Sequence, residues 1–301
     1  MQNSTDRVWL GNSLIFGSAL AYSTHGYFTR LIDLDVWTLL FWRGFFGGVF
    51  IGAIVLWQNG SATFVAIRSM GKAGIAVTCL SALSTICFIS ALRHTSVAEV
   101  MTIHAAIPFF TAVTAWIFTK EREDWLTILA CFIALAGVAI IFGPYAEAGH
   151  LLGNGLAVIM AVTMAAMMVI IRRKRSTSML PAASLSAFLC SIAVMPFASP
   201  TAISTTDMLL LFLFGTAQFG LGLLLLTLGT RLISATRSAL IGSIENPLAP
   251  LWVWFAFNEI PSFAAIIGGT VVMAAVALDV TAKWLRGTRP SQDQKTLQEN
   301  F

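Results

Sequence analysis

The sequence predicts an all-α polytopic membrane protein: ten transmembrane helices in two inverted five-helix repeats, with both termini cytoplasmic. Three observations carry this. The first is composition: 301 residues are 57% hydrophobic and 11% charged, with mean hydropathy +0.82. Such values lie far outside the range of soluble domains. The charges fall in short clusters between apolar runs of about 20 residues, the length that a hydrocarbon core of about 30 Å requires of a helix. The second is repetition. A shift of 138 positions lays Ser234, Trp254 and Glu259 over Ser96, Trp116 and Glu121. The same shift lays Ile266, Ala274, Val276 and Ala277 over Ile128, Ala136, Val138 and Ala139. Gly11-Asn12-x-Leu14 returns as Gly153-Asn154-x-Leu156, and Arg30 as Arg172. Weak identity with retained punctuation marks an internal duplication.

The third observation is the distribution of Lys and Arg. With the N-terminus inside, fifteen of the 18 are cytoplasmic: Arg7, Arg68, Lys72, Lys120, Arg122, Arg172 to Arg175, Arg231, Arg237, Lys283, Arg286, Arg289 and Lys295. Arg30 and Arg93 fall outside, and Arg43 lies within a span. The positive-inside rule then fixes the orientation. Five spans per repeat is an odd number, so the second repeat enters the bilayer inverted.

In order, the spans lie near residues 9–30, 36–57, 71–92, 96–118, 125–142, 153–172, 180–198, 207–230, 234–257 and 262–284. The first has no small-residue cleavage site and reads as a retained helix, not a signal peptide. Residues 9–142 form the first repeat and 153–284 the second, with 285–301 expected as a disordered cytoplasmic tail. Connections are short and leave no room for a soluble domain. Cys79, Cys87, Cys131 and Cys190 all fall inside spans without a CxxC pair, so neither a metal site nor a disulfide framework is expected.

The chain resembles the drug/metabolite transporter superfamily, specifically its ten-helix EamA-type branch, across residues 9–284. The two halves, the Trp-Arg43 segment, and the Pro108…Trp116…Glu121 and Pro247…Trp254…Glu259 sets carry the likeness. Ser84-Thr85-Ile86-Cys87, Ala98-Glu99-Val100 and Pro108 are similar to the bacterial aromatic amino-acid exporters. Where those exporters gather aromatic side chains, this chain has Ser84, Ala105 and Met164, which implies a broader pocket. The resemblance implies a carrier in the bacterial inner membrane, exporting small metabolites by alternating access around a midplane cavity. Amino acids, aromatic and neutral, are the implied substrates.

Polar side chains deep in a membrane are costly, so each is a candidate for function. Glu245 sits midway along the ninth span, before Asn246 and Pro247, where a kink exposes backbone. It could anchor a substrate amino group or carry a proton; a neutral or Arg-paired structural carboxyl is the competing reading. Gln218, among Phe219, Gly220 and Gly222, offers a donor and an acceptor to substrate or to a neighbouring helix. His104, four residues before Pro108, either lines the cavity or packs. Tyr22 with His25 aligns with Met164 and Met167, each pair on one helix face, suited either to loosely specific recognition or to plain packing. Ser84, Thr85 and Phe88 complete the binding candidates, while Arg43 with Glu99 reads as a gating or structural ion pair.

No GxxxxGK[ST] loop is present, so the chain does not itself hydrolyse ATP to pump. No cofactor is implied, nor any nucleic-acid partner: the net charge of +4 is a topology signal. A small solute and the bilayer are the expected partners, with the chain acting as a monomer. Efflux of cationic drugs is the nearest alternative. An intramembrane enzyme, lacking a motif such as HExxH, and a signalling receptor are weaker ones.

Overall fold

Hydrophobic runs this long can satisfy their backbone groups in lipid only as helices or closed barrels, and here they are helices. The computed structural model describes residues 4–95, 100, 103–120, 123–142, 151–199, 203–258 and 263–287. Among these there is no strand. The first repeat holds α1 (Ser4–Ser23), α2 (His25–Leu31), α3 (Val36–Asn59), α4 (Thr63–Ser69), α5 (Gly71–His94), α6 (Ile107–Thr119) and α7 (Trp125–Phe142). The second holds α8 (Leu151–Arg173), α9 (Leu180–Val194), α10 (Thr205–Leu213), α11 (Leu221–Thr230), α12 (Ala235–Gly242), α13 (Glu245–Phe257) and α14 (Phe263–Gly287). Ser96, Glu99, Glu121, Glu259 and the tail beyond residue 287 lie outside the described residues.

Helix ends follow local chemistry. Asp35 caps α3, accepting from the amides of Trp37 and Thr38 at 3.0 Å each. Ser204 and Ser234 cap α10 and α12 in the same way. At the other end, α6 stops at Lys120 and α13 at Asn258, both left-handed, with φ of 56° and 55°. Those two positions are 138 apart, so the duplication persists in backbone geometry.

Several expected spans are interrupted. The first breaks at Thr24, where Ser23 and Thr24 hydroxyls donate to the carbonyls of Leu20 and Ala21, both at 2.7 Å. The fourth turns at Ala105–Ala106 and the ninth at Ser243–Ile244, again 138 apart. Proline explains the ninth: Pro247 has no N–H for the carbonyl of Ser243, and Asn246 Nδ2 donates to that oxygen instead, at 3.1 Å. The eighth holds a seven-residue π-helical segment, Phe214–Gly220, between α10 and α11. Five helical stretches, Val36–Ser69, Gly71–Ala91, Leu151–Arg173, Leu180–Phe197 and Thr205–Thr230, are long and apolar enough to cross a membrane. Ile107–Phe118, Trp125–Ile140 and Ile266–Ala282 are apolar but shorter.

The principal pairings join one repeat to the other: α5 with α8, α1 with α11, α3 with α9, and α7 with α14. Glycine permits the closest of them. A Cβ on Gly47 of α3 would lie 2.6 Å from the Phe219 ring and 3.0 Å from the Gly215 carbonyl; one on Gly137 would lie 2.7 Å from the Gly268 carbonyl. Hydroxyls fasten the same seams. Ser18 donates to the Gly222 carbonyl at 2.8 Å, joining α1 to α11, and Ser84 to the Met160 carbonyl at 3.2 Å, joining α5 to α8. Positions 84 and 222 correspond at a shift of 138, and 18 and 160 at 142. The two bonds are therefore one contact made twice, with donor and acceptor exchanged.

Outward-facing side chains are large and apolar: Trp57 is 86% exposed, Leu151 88% and Phe263 77%. Such a surface suits lipid and not water.

Candidate functional site

The two interrupted fourth-helix elements, α6 with its preceding turn and the α12–α13 break, meet beside α1 and α8. Between them is a partly open cavity, with about 400 Å³ of atom-free space once the open volume at its mouth is included. Tyr22 and Ser18 reach it from α1, Met164 and Met168 from α8, His104 from the first break, and Glu245 from the second. Ser238, Gly242 and Ser243 also line it. The site is a product of the breaks: an unbroken helix would not hold His104 and Glu245 beside the gap it leaves.

His104 Nε2 lies 3.4 Å from Glu245 Oε1, with the two side chains 16% and 19% exposed. The other ring nitrogen, Nδ1, is buried and has no hydrogen-bond partner among the described residues. The Phe88 ring stands 6.2 Å from the imidazole, which makes Phe88 a neighbour of the site through His104. A carboxylate within reach of an imidazole can exchange that partner for an incoming ammonium or take up a proton.

A second polar chain runs above Tyr22. Arg43 Nε donates to Gln218 Oε1 at 3.2 Å, and Gln218 Nε2 donates to the Tyr22 carbonyl at 3.3 Å. His25 Nδ1 donates to the same carbonyl at 3.1 Å. The Arg43 guanidinium carbon lies 4.2 Å from the Phe219 ring centroid and 5.2 Å from that of Phe214, so the cation is held by aromatic faces. The π-helical segment makes this possible, because its wider turn places both phenylalanines and Gln218 toward α3.

The EamA-like transporter family matches residues 9–143 and 151–281. The chain belongs to that family. The two matched stretches are its two repeats, and the cavity described above lies where they meet. An S-adenosylmethionine uptake transporter of Rickettsia bellii is 27% identical over 187 residues, 60% of this chain and 63% of that protein. Solute carrier family 35 member G1 of Mus musculus is 25% identical over 226 residues, 66% of this chain and 59% of that protein. The chain therefore spans less than two thirds of the length of these relatives. An uncharacterized transporter of Archaeoglobus fulgidus is 24% identical across 89% of this chain and 95% of its own. One crystal structure superposes with a TM-score of 0.78 at 18% identity, covering 89% of this chain and 96% of its own, and shares the fold.

Within this member of the EamA-like family the sequence-derived candidates divide. Tyr22, His104, Met164 and Glu245 line the cavity together. Gln218 and Asn246 do not; both are buried, and their amides are spent on Arg43 with Tyr22 and on Ser243. Ser84 is used between helices, Thr85 donates to its own helix at the Ser81 carbonyl, and Met167 packs in the core. Arg43 takes Gln218 and two phenylalanines as partners, while Glu99 lies outside the described residues.

Ser18, Ser238, Gly242 and Met168 were not singled out from sequence. Repetition held a usable signal for one of them: shifting His104 by 138 gives Gly242, as shifting Ile107 gives Glu245, and all four line the cavity.

A separate buried cluster ties α7, α12 and α14. Arg237 Nε lies 3.3 Å from Asp279 Oδ2, Thr127 donates to Asp279 Oδ1 at 2.7 Å, and Ser234 donates to Glu123 at 3.3 Å. Arg237 was expected at the cytoplasmic surface as a topology charge. It is 5% exposed and pairs with Asp279 inside the helix bundle, a burial that leaves its side of the membrane untouched.

Proposed function

We propose that this chain carries small amino-bearing metabolites, amino acids foremost, across the bacterial inner membrane by alternating access, working as an exporter. In this reading ten spans form two inverted repeats, 9–142 and 153–284, with both ends and the tail from residue 285 in the cytoplasm. The observation that carries it is the Glu245–His104 contact at 3.4 Å, set where two broken helices from opposite repeats open onto one cavity. An ammonium displaces the imidazole from the carboxylate, and the vacated His104 turns its nitrogens to the rest of the solute. Tyr22 and Met164 offer an adaptable apolar wall, consistent with more than one side chain being accepted. Near-equivalent halves make the inward-open and outward-open states close in energy, so modest binding energy shifts the balance.

The test is flux into and out of sealed proteoliposomes. Labelled leucine, phenylalanine and S-adenosylmethionine would be compared with the hydrophobic cation tetraphenylphosphonium, with and without a proton gradient. Saturable amino-acid flux that Glu245→Gln abolishes supports the proposal. Flux of the hydrophobic cation alone would replace it with drug efflux, and chemical conversion without vectorial movement would replace it with an enzyme. Impermeant labelling of single cysteines at both termini tests the orientation; opposite sidedness would end the inverted-repeat reading.

A further inference from the structure

Arg43 is a cation within a membrane span, and among the described residues no carboxylate pairs with it. Its position is nonetheless closely defined. Gln218 holds Nε, and the Phe214 and Phe219 rings lie within cation–π distance. Gln218 is itself 2% exposed and anchored to the Tyr22 carbonyl. With Nε occupied, the edge formed by the two terminal nitrogens has no hydrogen bond among the described residues, and that edge is the part of a guanidinium that matches a carboxylate in bidentate geometry. Arg43 is half-buried.

A cation with no carboxylate beside it among the described residues carries a desolvation cost that a structural role does not require, since a neutral side chain would fill the same space. Two ring faces and one amide offset only part of that cost. Tyr22 connects this group to the cavity: its side chain lines the cavity, and its carbonyl accepts from the Gln218 amide that holds Arg43. Through one tyrosine the cavity that holds Glu245 is thus linked to the group that holds Arg43.

We propose that Arg43 is an anion subsite of the transport pathway, binding the carboxylate of a solute whose ammonium is held at Glu245. This rests on the transport reading above and adds the second charge: the preferred substrate class becomes zwitterionic α-amino acids and their carboxylate-bearing derivatives, not amines in general. Gln218 is the positioning residue, and the phenylalanine faces keep the guanidinium oriented before the solute arrives.

Three probes separate the two charges: L-phenylalanine carries both, L-phenylalaninamide only the ammonium, and 3-phenylpropanoate only the carboxylate. Binding to the purified full chain would be read by tryptophan fluorescence and by thermal stabilisation. The wild type should favour phenylalanine over phenylalaninamide. Arg43→Gln should weaken phenylalanine and 3-phenylpropanoate roughly ten- to hundred-fold, the range for losing a charge-assisted bond, and leave phenylalaninamide within about two-fold. Arg43→Lys keeps the charge without the fork and should fall between. An equal effect on all three probes, or none on the carboxylates, overturns the proposal. Should Arg43→Gln fail to fold, the wild type still decides, because equal affinity for phenylalanine and phenylalaninamide removes the anion subsite. Arg43-dependent binding of 3-phenylpropanoate without flux in proteoliposomes would defeat the transport reading and leave the anion subsite standing.

Discussion

Glu245→Gln separates a binding carboxylate from a structural one, because the two roles predict opposite signs. The substitution keeps shape and hydrogen-bonding capacity while removing the charge. For an ammonium taking the place of the imidazole, which lies 3.4 Å from the carboxylate, an effective dielectric constant of about 20 makes the charge worth about 5 kcal/mol before desolvation is counted. Hydrogen bonds to charged groups retain about 1.5–3 kcal/mol of net value, equivalent to a loss of about ten- to 150-fold in affinity. Phenylalaninamide and S-adenosylmethionine should weaken by that factor, while 3-phenylpropanoate should not. Stability should move the other way. A partly buried carboxylate costs desolvation that an amide largely avoids, and glutamine can still bond to His104 Nε2, so the melting temperature in detergent should hold or rise. Fluorescence titration and thermal unfolding of one preparation read both quantities. Unchanged affinity with a lowered melting temperature would refute the reasoning and make Glu245 a strut.

Three further substitutions test the frame around the site. Gly47→Ala places a methyl 2.6 Å from the Phe219 ring and 3.0 Å from the Gly215 carbonyl; it should cost about 1–3 kcal/mol in unfolding experiments and weaken carboxylate probes by displacing the Arg43 platform. Gln218→Ala should lower affinity for 3-phenylpropanoate less than Arg43→Gln does, leave phenylalaninamide unchanged, and so show an effect through positioning. Asp279→Asn strands a buried Arg237 and should destabilise by about 3–5 kcal/mol, whereas the double replacement Asp279→Leu with Arg237→Met should recover most of that loss. A thermal-unfolding cycle with no recovery in the double variant would show that the pair is not acting as a unit.

Much of the fold was legible because its punctuation is chemical. Pro108 and Pro247 mark the elements that break, and the same shift of 138 that aligns the tryptophans also aligns the left-handed caps Lys120 and Asn258. The π-helical segment was not legible. Its sequence, FGTAQFG, has the hydropathy of an ordinary span, and a wheel drawn at 3.6 residues per turn assigns Gln218 the wrong face once the turn widens. Polar residues in spans also misled where they had a local use. Thr85 donates to a carbonyl four residues back, and Asn246 replaces the donor that proline lacks, so neither polarity signals solute. For Arg43 the suggested acid, Glu99, lies outside the described residues, and the aromatic faces that do hold the cation leave no charge pattern to read. Asp279 carries no motif that would single it out, although its proximity neutralises Arg237.

The cavity lining shows why a duplicated scaffold ends with unequal halves. Tyr22 and Met164 occupy corresponding positions at a shift of 142, as do Ile107 and Glu245, and His104 and Gly242, at 138; all six face the same space. Near a two-fold axis, a residue and its counterpart approach each other across the gap. Had both copies kept a carboxylate at the Glu245 position, two like charges would share a small cavity and oppose each other's ionisation. An apolar Ile107 opposite Glu245 removes that conflict. Gly242, where a Cβ would meet nothing within 4 Å, leaves open the space that a second imidazole would fill. What remains is one imidazole from the first repeat facing one carboxylate from the second, a pairing that neither repeat could form with its own copy. Symmetry supplies the cavity and two matched breaks; the divergence of the lining supplies a direction along which a charged solute can be held.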